Sequence, residues 1–204
     1  MKDLVILVPD KNTQFAVTGA LRRPEALGIH AIEFEFRPHP GRDGGARTTG
    51  VDVLARERTR FRHALLMFDL EGSGSASTDS AESLQAALDA RLAQIWGEDA
   101  RSIVIAPEVD VWLWGADSVL REALEWKEPQ AVRAWLQDHG HELNSQDKPL
   151  RPKEAIEALV RAQNMPRSSA LYLKITQRIS LRRCSDPAFT RLRSVLQQWF
   201  ASGQ

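Results

Sequence analysis

Apolar residues in this chain fall into short unbroken runs separated by stretches of helical period. Asp3-Leu-Val-Ile-Leu-Val8 stops at Pro9-Asp10, which is the pattern of a strand covered on both faces, as in a parallel sheet. Over residues 13–27, Phe15, Val17, Leu21 and Leu27 recur at roughly helical spacing ahead of Gly28, predicting a helix with glycine as its stop signal. Between residues 30 and 37, Ile32, Phe34 and Phe36 alternate with Ala31, Glu33 and Glu35, the period of two expected of a half-exposed strand near a sheet edge.

Residues 38–50 are dense in glycine and proline and predict a long irregular loop, of the kind that often carries function. A basic helix is expected over 51–62. A second apolar strand is expected over 63–69, ending in Asp69. After the Gly/Ser stretch at 72–78, Leu84, Leu88, Leu92 and Ile95 mark an amphipathic helix, capped by Asp79 or Ser80 and stopped by Gly97. Residues 102–106 form one more short apolar run before Pro107. This alternation predicts an α/β fold with a mainly parallel sheet of about four strands flanked by helices. From about Trp112 the pattern is helical throughout, with segments at 116–125, 129–139, 152–162, 168–179 and 187–200. An α/β core over 1–115 is therefore expected, with a basic helical extension over 116–204 packed on one edge of the sheet.

Composition narrows the class. The chain has 204 residues, 43% apolar and 26% charged, ordinary values for a globular protein with a core of its own. Cys184 is the single cysteine, so no intrachain disulfide forms, and it reads as a small buried hydrophobe. Met1-Lys2-Asp3 followed by a short apolar run is too short and too acidic for a signal peptide, and no apolar stretch approaches a membrane span. A cytoplasmic location without membrane association is expected. The net charge of zero hides an asymmetry: residues 151–204 hold ten basic and three acidic residues, and the first 150 hold seventeen and twenty-four. An acidic body with a basic tail suits a carboxylate cation site beside a surface that attracts phosphate.

The candidate chemistry lies at strand ends. Asp10 follows the first strand, Asp69 and Glu71 follow the third, and Glu108 and Asp110 follow the fourth. In an open parallel sheet these carboxyl ends share one edge, where ligands bind. Gathered carboxylates repel one another unless a cation or proton intervenes, and hard oxygen donors select Mg²⁺ or Mn²⁺. The plainer reading of each acid is a helix cap or solvated turn. Candidate phosphate-holding groups are Arg42 and Arg47 in the glycine-rich segment, Arg56, Arg58, Arg60 and Arg62 after it, and Arg178, Arg182, Arg183, Arg191 and Arg193 in the tail. The glycines lack P-loop and dinucleotide spacing. His39 reads as a loop histidine, Trp112 and Trp114 as core, His139 and His141 as too few for zinc, and Tyr172, between Leu171 and Leu173 in the tail, as core packing remote from the acids.

The order of elements, with Asp10-Lys-Asn-Thr-Gln14 after the first strand, Asp69-Leu-Glu71 after the third and Asp110-Val-Trp112 after the fourth, resembles the TOPRIM fold. It is most similar to uncharacterised TOPRIM-like proteins of prokaryotic anti-phage defence loci. The resemblance spans residues 3–117. It extends more loosely to Pro152-Lys-Glu-Ala155 and Cys184-Ser-Asp-Pro-Ala-Phe189. It implies that Asp10 serves as general acid/base and that Asp69, Glu71 and Asp110 form the metal set, with Glu108 as second choice. Two departures stand out: Asp10 replaces a glutamate, and Gln14 is uncharged where the pattern has an acid. The implied activity is metal-dependent cleavage of nucleic acid, with protein partners of a defence system. The alternatives are an inactive binding subunit and a small-molecule phosphohydrolase. Whether the chain self-associates is not written in the sequence.

Overall fold

The computed structural model describes residues 1–166 and 168–202. Four strands, β1 (Lys2–Val8), β2 (Phe34–Pro38), β3 (Phe61–Asp69) and β4 (Ala100–Ile105), form one sheet in the order β2-β1-β3-β4, and every pairing is parallel. The unbroken apolar runs end up where continuous burial requires them. Leu4 to Val8 are fully enclosed in the interior strand β1, and Ala64 to Phe68 likewise in β3. The alternating strand β2 lies at the edge, as its period of two predicts.

Successive side chains point to opposite faces of the sheet, so each face has its own core. Val5, Leu7, Leu66 and Phe68 meet α3 (Arg42–Ala55) and α4 (Ala81–Trp96) through Val51, Leu54, Leu88, Leu92 and Trp96. On the other face Leu4, Ile6, Val8, Leu65, Met67, Ile103 and Ile105 pack against α1 (Lys11–Leu21) and α2 (Pro24–Leu27). The same face receives five later helices: α5 (Asp117–Ala123), α6 (Val132–Asp138), α7 (Pro152–Ala162), α8 (Ala170–Thr176) and α9 (Pro187–Phe200). Helix α9 lies along edge strand β4, α8 packs on α1, and the later helices share one continuous core with the sheet face. Among the described residues no helix is long and apolar enough to cross a membrane.

Three local expectations need correction. The helix expected over 13–27 is two pieces, α1 and α2, because Pro24 starts a new turn and cannot continue the first. The glycine-rich segment is not a loop: α3 begins at Arg42 and runs through it. Glycine costs a helix roughly 1 kcal/mol relative to alanine, but here it permits close packing. A Cβ on Gly45 would stand 2.2 Å from His39 Nδ1, and one on Gly50 would stand 2.5 Å from Leu66 Cδ1. The basic helix expected over 51–62 consequently ends at Ala55. Arg56, Arg58, Arg60 and Arg62 flank the start of β3, at the opposite end of that strand from Asp69.

Candidate functional site

The carboxyl ends of the strands open into a cleft of ≈ 1060 Å³ lined by Asp10, Asp43, Asp69, Glu71, Glu108 and Asp110, facing Lys11, Arg42 and Lys153 as the only cations of its wall among the described residues. All five acids expected at strand ends therefore reach one cavity. Asp43, from the first turn of α3, is a sixth, in the segment expected to be a loop.

Asp69 ends β3 and is held from two sides. Its backbone N–H donates to Asp43 Oδ1 at 2.8 Å, and its own Oδ1 accepts from the Val109 N–H at 3.0 Å. The Leu70 and Glu71 amides donate to the Ile105 and Pro107 carbonyls at 2.7 and 3.0 Å, fastening the ends of β3 and β4 together. Burial, followed by the charges of Asp43, Asp110, Asp10 and Glu108, drives the Asp69 carboxyl well above the usual range. Burial also raises Asp43, against the hydrogen bond from the Asp69 amide.

Asp10 caps α1, its Oδ1 accepting from the Thr13 N–H at 2.9 Å. The capping role and the site role coincide in this residue. Glu108 and Asp110 are only 6% and 3% exposed, and both come from the short 3₁₀ segment that follows β4, Glu108 as its cap and Asp110 within Val109–Leu113. Burial raises both carboxyls, and the C-terminal helices oppose the shift in each case: the Lys153 ammonium of α7 donates to Glu108 Oε2 at 3.1 Å, and the Tyr172 hydroxyl of α8 donates to Asp110 Oδ1 at 2.5 Å. Burial works against the charge on Lys153, but Glu108, Asp110 and Asp69 outweigh it and the ammonium is held more firmly. Burial and Asp110 push the Tyr172 hydroxyl far above its ordinary value. Tyr172 is thus held as a protonated hydrogen-bond donor to Asp110.

The position of Tyr172 corrects the reading of it as remote from the acids. In the sequence Lys153 is part of the run Pro152–Ala155 and carries no mark of a site residue. Its one signal was Pro152-Lys153-Glu154 opening a helix, which places a long cation at a helix start. Neither partnership is visible in sequence, since 62 residues separate Tyr172 from Asp110 and 45 separate Lys153 from Glu108.

The arginines divide. Arg42 lines the cleft. Arg47 is committed elsewhere, donating to the carbonyls of Ser73 and Gly74 at 2.8 and 3.1 Å and pinning the Gly/Ser loop. Arg182 lies over α2, its guanidinium toward the Glu25 carbonyl at 3.5 Å, and Arg183 lines a separate hollow. Arg178 pairs with Glu122 at 3.1 Å, Arg191 with Asp89, and Arg193 donates to the carbonyls of Leu181 and Arg182. His39, at the cleft mouth, accepts from the Gly41 N–H at 3.0 Å through Nδ1 and meets Thr49 Oγ1 through Nε2. Trp112 and Trp114 are buried, and His139 stacks on Trp135.

Hard carboxylate oxygens in excess over cations suit Mg²⁺ or Mn²⁺. Among the described residues no three acidic, histidine or cysteine side chains converge tightly enough to hold a metal by themselves. Mg²⁺ needs no such cage, since it is commonly held by one or two carboxylates with water and substrate phosphate. No known protein family, curated protein or solved structure matches the chain.

Proposed function

We propose that this chain is a cytoplasmic, TOPRIM-like phosphodiesterase that cleaves nucleic acid in a Mg²⁺- or Mn²⁺-dependent reaction, together with protein partners of a prokaryotic anti-phage defence system. The observation that carries the chemistry is Asp69, a carboxyl enclosed among four other acids and pushed well up by burial and by their charges. Such a group is incompletely neutralised by the protein itself, and a divalent cation is the counter-charge that would relieve it. The defence setting rests on the resemblance of Asp10, Asp69-x-Glu71 and Asp110-x-Trp112 to those proteins.

Asp69 and Asp110, with Glu71 and Glu108 beside them, are the oxygens that would hold the cation. When bound, it would polarise a phosphoryl oxygen and acidify a water. Asp10 has one oxygen taken by the Thr13 amide, which fixes the side chain and leaves the other oxygen for proton transfer at the cleft mouth. Arg42 and Lys153 supply positive charge for the phosphate backbone.

The test is direct. Purified protein, with Mn²⁺ and single- or double-stranded DNA or RNA, is expected to nick or degrade at least one substrate, and Asp69→Asn to abolish cleavage and weaken Mn²⁺ binding measured by calorimetry. Absence of both cleavage and cation binding in the wild type withdraws the proposal.

A second reading, a binding subunit that has kept the fold without the chemistry, is favoured by Gln14, which is uncharged where the resemblance has an acid, and by the use of Asp10 as a helix cap. Here Asp69→Asn would leave protection against phage intact, and Arg182→Glu would remove it.

A further inference from the structure

On the far side of the segment that carries Asp110, a hollow of ≈ 360 Å³ has Trp112, Trp114, Val119 and Ile179 in its wall, with Lys148 and Arg183 also lining it. Through Trp114, Ala116, Lys148 and Arg183 it continues into an outer hollow of ≈ 480 Å³. The size lies within the range of small-molecule sites, which combine an apolar wall with a few placed polar groups.

Three features here are left without a counterpart. Lys148 Nζ and the Arg183 guanidinium meet no ion-pair or hydrogen-bond partner among the described residues, whereas the neighbouring Arg178 is paired with Glu122 at 3.1 Å. Trp114 is only 5% exposed, and its enclosed indole N–H has no acceptor. A buried tryptophan N–H usually finds a partner. Trp112, by contrast, donates to Asp186 Oδ1 at 2.8 Å. The one carboxylate in the wall of either hollow among the described residues is Asp147, in the outer one. Two free cations beside an aromatic and aliphatic wall call for a ligand that brings negative charge on a flat apolar body.

We infer that this hollow binds a small aromatic phosphate, of the size range of phenyl phosphate to a nucleoside monophosphate, with the ring against Trp114 and Ile179 and the phosphate on Lys148 and Arg183. Arginine grips phosphate through two parallel N–H donors, and lysine adds a point charge. The site is separate from the acidic cleft and does not depend on cleavage there.

The experiment titrates the full chain with phenyl phosphate and with adenosine monophosphate, following the Trp114 indole N–H by heteronuclear NMR and the affinity by calorimetry. Inorganic phosphate and phenol serve as half-ligand controls. Both aromatic phosphates, or the one that fits the hollow, should move the Trp114 resonance and bind at least about tenfold more tightly than either control, about 1.4 kcal/mol. The double variant Lys148→Glu/Arg183→Glu should lose at least about tenfold in affinity. Ala116→Trp, which fills the exposed entrance, should abolish binding with an unchanged circular dichroism spectrum. Asp69→Asn should bind as the wild type does, so loss of the cleavage proposal leaves this one standing. The inference is overturned if neither aromatic phosphate moves the indole resonance at millimolar concentration, if inorganic phosphate binds as tightly, or if the variants leave the affinity unchanged.

Discussion

The acidic cleft and the tryptophan-walled hollow sit on either side of one short segment, Val109–Leu113, and they are imperfect in opposite ways. In the cleft six carboxylates face three cations, and even with Lys153 on Glu108 and Tyr172 on Asp110 the buried acids are raised above their ordinary range. In the hollow Lys148 and Arg183 stand without a counter-charge. The whole-chain charge of zero therefore conceals local excesses of opposite sign at the two sites. Burial makes the unpaired carboxylates of the cleft costly, whereas the more accessible cations of the hollow lose little by standing unpaired. Which groups remain unpaired is thus more informative than how many charges there are.

The wall between the two sites should give the largest effect. Trp112 is 3% exposed, packs edge-on against Phe189 with ring centroids 5.3 Å apart, and donates to Asp186, which also caps α9. Trp112→Ala removes a large buried side chain and its hydrogen bond, and should cost about 3–5 kcal/mol in a denaturant melt. It should disturb both sites together; a variant that lost one and kept the other would show the wall to be less shared than its packing implies.

Tyr172→Phe is the next test, and it acts on the cleft alone. It leaves Asp110 buried with a charge-accepting oxygen unmet, at a cost of about 1–3 kcal/mol. Because the hydroxyl donates to the ionised carboxylate and burial raises the Asp110 carboxyl, the loss should grow as pH rises, from pH 5 to pH 8. Equal losses at the two pH values would mean that the hydroxyl serves packing and not the carboxylate.

The legibility of the two regions also differs. The strands could be read because an unbroken apolar run has few other uses, and the acids Asp10, Asp69 and Asp110 because a parallel sheet sends every strand end to one rim. The start of α3 could not be read. Its glycines oppose a helix locally, and only the close approach of His39 and Leu66 makes them favourable. Asp43 was hidden with it. Lys153 and Tyr172 sit in helices whose period identifies a buried face but not the surface it will meet, so a tyrosine between two leucines looked like ordinary core. What the sequence could not convey was contact between segments far apart in the chain. The hollow was illegible for the same reason, since Trp114, Lys148 and Arg183 come from three separate segments.

Charge removal within the cleft should give a smaller effect of opposite sign. The pKa of Asp69 is raised on folding, so the folded state binds its proton more tightly than the unfolded chain does. That contribution is fully present below the ordinary aspartate range and is lost as pH rises through the raised value. Asp69→Asn keeps the oxygen that accepts from the Val109 amide and removes the charge. It should therefore stabilise the protein at pH 8 by roughly 1–2 kcal/mol, within the ordinary range for a point substitution, and flatten the dependence of melting temperature on pH between 5 and 8. Saturating Mn²⁺ should raise the wild-type melting temperature, because a ligand that binds only the folded state adds stability by mass action, and should leave the variant nearly unmoved. Destabilisation of Asp69→Asn at pH 8 would show that the protein neutralises this acid by itself.

The smallest effect is expected at Lys153. Its ammonium bonds Glu108 at 3.1 Å, but its side chain is 55% exposed, so solvent screens the pair and its removal should cost no more than about 1 kcal/mol. Lys153→Met keeps much of the aliphatic stem, leaves Glu108 without its cation and makes the cleft more negative. Stability should hardly move. If the cleft is short of positive charge, as the raised acids indicate, the variant should bind Mn²⁺ more tightly while holding a nucleic-acid backbone less well, because the first depends on net negative charge and the second on a cation at the mouth. Calorimetry with Mn²⁺ and a salt series with a single-stranded oligonucleotide would separate the two responses. A loss of affinity for both would identify Lys153 as a structural brace of the cleft and not as part of its charge balance.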